Sequence, residues 1–236
     1  MIPQGARILV VDDEPQIRRS LQINLETKNF SVQTAASGEK AIETLSRWRP
    51  DLVIIDLLLP SMDGIELTRQ IRENSPVPIL VLSAIGDEHK KVEALECGAD
   101  DYITKPFGME ELLARVRSAL RRTIILSGVE PVFRSGDLSI NFERREVRIE
   151  NKPVRLTPTE YDLLKYMVQY SGKVLTHRTL LMAIWGEAYA DQAQYLRVFI
   201  GQLRKKLERD TARPKYILTD PGVGYRFAPA VEEGST

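Results

Sequence analysis

Residues 7–13 read Arg7-Ile8-Leu9-Val10-Val11-Asp12-Asp13: an apolar run closed by two adjacent carboxylates. A run this short, apolar on successive positions, reads as a strand buried on both faces. The pattern returns along the chain. Residues 52–55 end at Asp56, residues 78–82 end at Ser83, and residues 101–104 end at Lys105-Pro106. A further apolar run spans residues 30–35. Helix-period stretches separate these runs, near residues 15–27, 38–48, 64–74, 88–97 and 109–122. Five strand–helix repeats predict a parallel sheet with helices on both faces. Pro15, Pro50, Pro60, Pro76 and Pro78 fall where such elements begin or end. In a parallel open sheet the carboxyl ends of the strands converge on one edge, where ligands bind. That edge would gather three carboxylates, a hydroxyl and an ammonium.

These residue types define a chemistry. An unperturbed Asp has a pKa near ~3.9, so Asp12, Asp13 and Asp56 would all be ionised at neutral pH and would repel one another. A hard divalent cation with oxygen ligands relieves this, and Mg²⁺ binds through one or two carboxylates plus waters and phosphate oxygens. An Asp56 oxygen could then attack an incoming phosphoryl group and form an aspartyl-phosphate. Lys105 would supply a second positive charge, and Ser83 a donor to a phosphoryl oxygen. Lys105-Pro106 is a candidate cis peptide, and the sequence leaves the isomer open. Taken singly, an Asp at a strand end is commonly a cap or turn residue, Ser83 a loop hydroxyl and Tyr102 a half-buried strand residue. Matching placement at four strand ends favours a site.

The period changes in the second half. Leu138, Ile140 and Phe142 alternate, as do Val147 and Ile149, then Val154 and Leu156, which predicts a small antiparallel sheet with one buried face. Thr157-Pro158-Thr159-Glu160 is a capping box that opens a helix ending near Gly172. A second helix follows Thr176, and a third spans about residues 192–208. Residues 216–219 and 225–227 read as a β-hairpin. Sheet, three helices, then hairpin is the order of a winged helix. On the third helix, Leu196, Phe199, Ile200, Leu203 and Leu207 form an apolar stripe. Gln194, Arg197, Gly201, Arg204, Lys205 and Glu208 fall largely opposite, an arrangement that can offer Arg to guanine edges and basic groups to phosphates. Tyr225-Arg226 on the hairpin adds a second contact element. An amphipathic surface helix with no ligand has the same pattern.

Composition sets the bounds. The 236 residues suffice for two domains, and 43% hydrophobic with 28% charged residues reads as globular. No apolar run approaches the ~20 residues of a membrane span, and no signal peptide is expected. One cysteine, Cys97, excludes an internal disulfide and fits a reducing cytosol. With only His89 and His177 and no CxxC, a structural zinc site is not expected. The zero net charge hides an asymmetry. Residues 1–122 hold 16 Lys/Arg against 19 Asp/Glu, and residues 123–236 hold 17 against 14. Residues 194–215 alone carry seven basic residues against Glu208 and Asp210. An acidic front half and a locally basic back half suggest two jobs, one of them on nucleic acid, although a charge run is usually a solvated face.

Residues 7–122 resemble a bacterial two-component receiver domain, a flavodoxin-like α/β fold with a five-stranded parallel sheet. The resemblance rests on Val11-Asp12-Asp13-Glu14, Ile55-Asp56-Leu57, Pro60-Ser61-Met62-Asp63-Gly64, Leu82-Ser83-Ala84, Gly98-Ala99-Asp100-Asp101-Tyr102 and Lys105-Pro106-Phe107. It implies that Asp56 is the phosphoacceptor. It implies Mg²⁺ held by the Asp13 and Asp56 side chains and the Leu58 carbonyl, with Asp12 assisting through water. Ser83 and Tyr102 are then the switch pair, the hydroxyl drawn to the phosphoryl group as the ring packs inward. Residues 133–228 are similar to the α+β winged-helix effector domain of OmpR/PhoB response regulators. That likeness is carried by Leu156-Thr157-Pro158-Thr159-Glu160-Tyr161, Val174-Leu175-Thr176, Leu203-Arg204-Lys205-Lys206-Leu207 and Gly222-Val223-Gly224-Tyr225-Arg226-Phe227.

The expected organisation is a receiver at 1–122, a linker at 123–132, a DNA-binding domain at 133–229 and a tail at 230–236. The resemblance further implies a dimer face pairing Lys91 with Glu111 and Asp101 with Arg115 across a two-fold. It places residues 192–208 in the major groove of double-stranded DNA at direct-repeat sites, the wing over the minor groove, and residues 185–191 toward RNA polymerase. A sensor histidine kinase would donate the phosphoryl group, in the cytoplasm and with no membrane contact by this chain. Residues 195–204 and 213–217 are similar to the KdpE branch of the family, whose members control high-affinity potassium-uptake genes, which would make the kinase KdpD-like. The chain departs from common family usage at Pro221, where many members carry Arg, and at Gly201, which presents no side chain on the DNA face. A metal-dependent phosphatase with an Asp nucleophile is the competing class. A haloacid-dehalogenase pattern needs a second acid two residues after the first, and Leu58 stands there after Asp56. No GxxxxGK[ST] loop exists either, so no enzyme is expected.

Overall fold

The computed structural model describes residues 5–84, 88–121 and 132–229. They form two compact units, one of residues 5–121 and one of residues 132–229. The expected linker at 123–132 lies outside the described residues except for Val132, and the tail at 230–236 lies wholly outside them.

The first unit alternates strictly: β1 (Arg7–Val11), α1 (Pro15–Glu26), β2 (Ser31–Ala35), α2 (Gly38–Arg47), β3 (Leu52–Asp56), α3 (Gly64–Asn74), β4 (Ile79–Ser83), α4 (Glu88–Glu96), β5 (Asp101–Thr104) and α5 (Met109–Arg121). The five strands are parallel in the order β2-β1-β3-β4-β5. The chain therefore reverses its winding between β1 and β3, where a doubly wound sheet opens a crevice. Alternate strand residues divide between two layers. Ile8, Val10, Leu52, Ile54, Leu80, Leu82 and Ile103 pack with Leu21 and Leu25 of α1 and Leu112 and Val116 of α5. Leu9, Val53, Ile55 and Val81 point the other way and are equally buried, so central strands read as continuous apolar runs. The edge strand β2 carries mostly exposed or half-buried residues.

In the second unit, β6 (Val132–Ser135), β7 (Leu138–Asn141), β8 (Glu146–Ile149) and β9 (Lys152–Val154) form an antiparallel meander. Helices α6 (Pro158–Gln169), α7 (His177–Ile184) and α8 (Ala193–Leu207) follow, with a 3-10 turn at Glu187–Tyr189. The strands β10 (Val174–Thr176), β11 (Ile217–Asp220) and β12 (Gly224–Phe227) make a second sheet in the order β10-β12-β11. The capping box forms as expected: Thr157 Oγ1 accepts from Glu160 N and a Glu160 carboxylate oxygen accepts from Thr157 N at 2.7 Å. The strands β6 and β10 are absent from the sequence reading. Each is three or four residues long without a clear period, and each exists because a partner strand supplies its ladder. Gly224 lets β12 reach β10: a Cβ there would lie 2.9 Å from the Leu175 carbonyl carbon.

Candidate functional site

The carboxyl ends of β1, β3, β4 and β5 bring the expected pocket residues together. Asp12 follows β1 and its backbone N–H donates to Ala35 O at 3.2 Å. Asp56 closes β3 in register with Leu82 of β4. Ser83 closes β4, and its carbonyl accepts from Lys105 N at 2.7 Å. Carboxylate oxygens of Asp12, Asp13 and Asp56 all lie within 4.8 Å of one another. Lys105 follows β5, its bond to Pro106 is cis, and its Nζ donates to Asp12 Oδ2 at 3.0 Å and to Asp56 Oδ2 at 2.6 Å.

The remaining carboxylate oxygens are also held. Asp12 Oδ1 accepts from Glu14 N at 2.8 Å, and Asp56 Oδ1 accepts from Leu58 N at 3.1 Å. Asp12 and Asp56 are buried, whereas Asp13 is exposed. Burial pushes the Asp12 carboxyl above its usual range, against the opposing hydrogen bond from Lys105. Burial pulls the Lys105 ammonium down, but its hydrogen bonds to Asp56 and Asp12 outweigh this and leave it raised. A crowded set of oxygen donors at this price in desolvation, with one carboxylate open to solvent, fits a hard cation such as Mg²⁺. Ser83 and the Tyr102 ring are both buried in the same layer.

Gly64 shapes the pocket from below. Its N–H donates to Leu57 O at 3.0 Å, so α3 starts directly against the backbone after Asp56. A Cβ on Gly64 would meet the Asp56 carbonyl oxygen and sit 2.7 Å from Leu57 Cα. Asp63 caps that helix by accepting from Ile65 N at 3.0 Å. The sequence reading quoted this Asp-Gly pair as part of a motif and missed its steric reason.

The residues expected at a dimer face form ion pairs inside one chain. Arg115 Nη1 lies 3.2 Å from Asp101 Oδ1, and its Nη2 lies 2.6 Å from Glu111 Oε1. Burial holds the Lys91 ammonium below its usual range, with Asp101 opposing the shift.

In the second unit, α8 buries Leu196, Phe199, Ile200, Leu203 and Leu207, the expected stripe. Gln194, Arg197 and Lys205 are exposed on the other side. Two expected DNA contacts are placed differently. Tyr225 is buried, its ring edge-on to His177, because alternation along β12 turns it toward the helices. Arg204 Nε and Nη2 donate to Ile217 O at 3.0 and 2.7 Å, and Nη2 donates to Thr219 Oγ1 at 2.8 Å. Its guanidinium is held by β11 and does not extend from the helix. Arg226 is half-buried, with its Nε 3.6 Å from Asp220 Oδ2.

An acidic pocket at the switch point of a parallel sheet, followed in the same chain by a winged helix, is the organisation of a response regulator that controls transcription. Residues 8–117 match the response regulator receiver domain family, and residues 151–227 match the family of transcriptional regulatory protein C-terminal domains. The chain is 45% identical over 221 residues to the transcriptional regulatory protein KdpE of Mycobacterium tuberculosis, covering 93% of this chain and 98% of that one. It is 43% identical over 220 residues to the KDP operon transcriptional regulatory protein KdpE of Escherichia coli K12, with the same coverage of 93% and 98%. Among solved structures it is similar to DrrB, a Thermotoga maritima OmpR/PhoB homologue, with 32% identity, a TM-score of 0.51, and coverage of 94% of this chain and 99% of that one. The chain belongs to the OmpR/PhoB family of two-component response regulators and is KdpE-like within it. Both of these relatives are transcriptional regulatory proteins. No helix among the described residues is long and apolar enough to cross a membrane.

Proposed function

We propose that this chain is a cytoplasmic transcription factor, activated by phosphorylation of Asp56, that controls potassium-uptake genes of the kdp type. The observation that carries the reading is the convergence on Lys105: one ammonium bridges Asp12 and Asp56, beside Asp13, at the carboxyl edge of the sheet. An Asp56 oxygen attacks the phosphorus of a phosphohistidine on a sensor kinase of the KdpD kind; the P–O bond forms as the P–N bond breaks. Asp13 and Asp56 with the Leu58 carbonyl would hold Mg²⁺, Asp12 assisting through water, and the bound cation would neutralise charge on the transferring group. Lys105 then exchanges a carboxylate partner for a phosphoryl oxygen, and the Ser83 hydroxyl donates to another. The Tyr102 ring, already buried on the same side of the sheet as Ser83, holds its inward position as that bond forms.

Residues 1–122 act as the switch and 133–229 as the effector, joined by the linker at 123–132 with a tail at 230–236. Dimerisation uses Lys91, Asp101, Glu111 and Arg115, and the pairs that Arg115 makes within one chain exchange for pairs across a two-fold. Two effectors then occupy direct-repeat half-sites with raised effective concentration. Gln194, Arg197 and Lys205 are the DNA contacts on α8, Arg226 is the contact on the hairpin, and residues 185–191 face RNA polymerase.

The test is binding to direct-repeat promoter fragments, with Mg²⁺ and with or without a small phosphoryl donor, for wild type and Asp56→Ala. The donor should tighten wild-type binding at least about tenfold, roughly 1.4 kcal/mol, and leave the variant unchanged. Specific wild-type binding that ignores the donor removes Asp56 as the control point.

A further inference from the structure

The strand β11 lies at the edge of its sheet, so one row of its backbone groups has no strand to pair with. Arg204 on α8 and Glu208, which caps that helix one turn further on, hold this row at Ile217 and the two residues that lead into it. The Glu208 carboxylate accepts from Lys215 N at 2.7 Å, from Tyr216 N at 2.9 Å and from Ile217 N at 2.9 Å. Arg204 takes the other peptide group of the same residue, donating twice to Ile217 O and once to the Thr219 hydroxyl. Both backbone polar groups of Ile217 are thus gripped by the recognition helix, and the Arg204 guanidinium lies over the Tyr225 ring at 5.8 Å.

We infer that Arg204 is a positioning residue and not a reader of DNA: with Glu208 it sets the angle and spacing between the recognition helix and the wing. A charge-assisted fork onto a carbonyl and a hydroxyl is directional, whereas apolar packing alone leaves a strand free to slide. The spacing matters because a winged helix binds only when helix and wing reach adjacent grooves together. Arg204 also stands on the face where a phosphate contact would be sought from sequence, so the two roles need separating. The inference rests on α8 being the DNA-binding helix.

Two measurements on the full chain decide it. The first, without DNA, is amide hydrogen exchange. Arg204→Met and Glu208→Ala should each speed exchange at Lys215, Tyr216 and Ile217 at least about fivefold while the α6 and α7 core amides keep their protection. Unchanged exchange at those three amides overturns the clamp. The second is binding to a mixed-sequence duplex and to a direct-repeat fragment over a salt series. Loss of a phosphate contact lowers the slope of log K against log salt by about one, and Lys in place of Arg restores it. A positioning role leaves the slope unchanged, weakens direct-repeat binding about tenfold, and makes Arg204→Lys as poor as Arg204→Met, because an ammonium cannot reproduce the fork. A reduced slope that Arg204→Lys rescues overturns the inference. Wild-type protein that binds neither duplex overturns the functional reading beneath it, and that failure is visible before any variant is made.

Discussion

The ammonium of Lys206, in the last turn of α8, lies 2.8 and 2.6 Å from the two carboxylate oxygens of Glu160, in the first turn of α6. Glu160 is only 3% exposed, and one of the same oxygens also accepts the Thr157 N–H of the capping box. One buried carboxylate therefore both starts α6 and anchors the far end of α8.

Removing the cation strands that charge. Lys206→Met should destabilise the second unit by about 2–3 kcal/mol, since breaking a largely buried pair leaves an uncompensated carboxylate. Glu160→Gln should cost less, because the amide oxygen can still accept from Thr157 N and no charge remains buried. Denaturant unfolding of both variants checks the order. Equal costs would mean that the ion pair contributes nothing beyond the cap.

Gly64→Ala should be worse than a typical surface substitution although the site is at a helix start, where Ala is ordinarily tolerated. The added methyl would meet the Asp56 carbonyl oxygen and the Leu57 backbone, neither of which can rotate away. A loss of about 2–4 kcal/mol is expected, with phosphoryl uptake at Asp56 reduced in the fraction that still folds. Thermal unfolding together with a phosphorylation time course separates the two effects.

The receiver was legible because its signal is redundant: each pocket residue closes an apolar run, and five such runs impose a sheet whose carboxyl edge is one place. Asp12, Asp56, Ser83 and Lys105 needed no knowledge of packing to be brought together. Arg204 and Tyr225 were not legible in the same way. A helical wheel gives the direction in which Arg204 leaves α8, but the edge strand that receives it lies over ten residues downstream in sequence. Alternation does turn Tyr225 inward with Phe227, and the contact expectation set that period aside. The strands β6 and β10 show the same limit. Three or four residues carry too little pattern, and their pairing is decided by the neighbour.

Cys97 should be a slow nucleophile. Burial pushes its thiol above the ordinary cysteine range, and the Arg69 guanidinium beside it only partly opposes this. The protonated form is thus favoured in the folded chain. Alkylation by iodoacetamide at pH 8 should be slower than that of a free thiol, and the rate should still be climbing above pH 9. The same shift makes folding less favourable as pH rises past the ordinary thiol value, because the unfolded chain ionises first. A pH–rate profile that levels off near a normal cysteine pKa would contradict the burial argument.

Mg²⁺ should stabilise the first unit without any phosphoryl donor. Asp12 and Asp56 are buried beside one another with a single ammonium between them, and the carboxyl of Asp12 is already driven upward by desolvation. A ligand that binds the folded state alone at a hundred times its dissociation constant adds about 2.7 kcal/mol. The unfolding temperature of the receiver should therefore rise with Mg²⁺ and return on chelation with EDTA. Asp13→Ala should fold normally, since Asp13 is exposed, and should lose most of that rise. Lys105→Met should behave differently: with its ammonium gone, the two buried carboxylates are left without their common partner, so the metal-free protein should be less stable and its response to Mg²⁺ larger. Thermal melts of the three proteins across a Mg²⁺ titration distinguish these cases, and an Asp13→Ala response equal to wild type would remove Asp13 from the cation site.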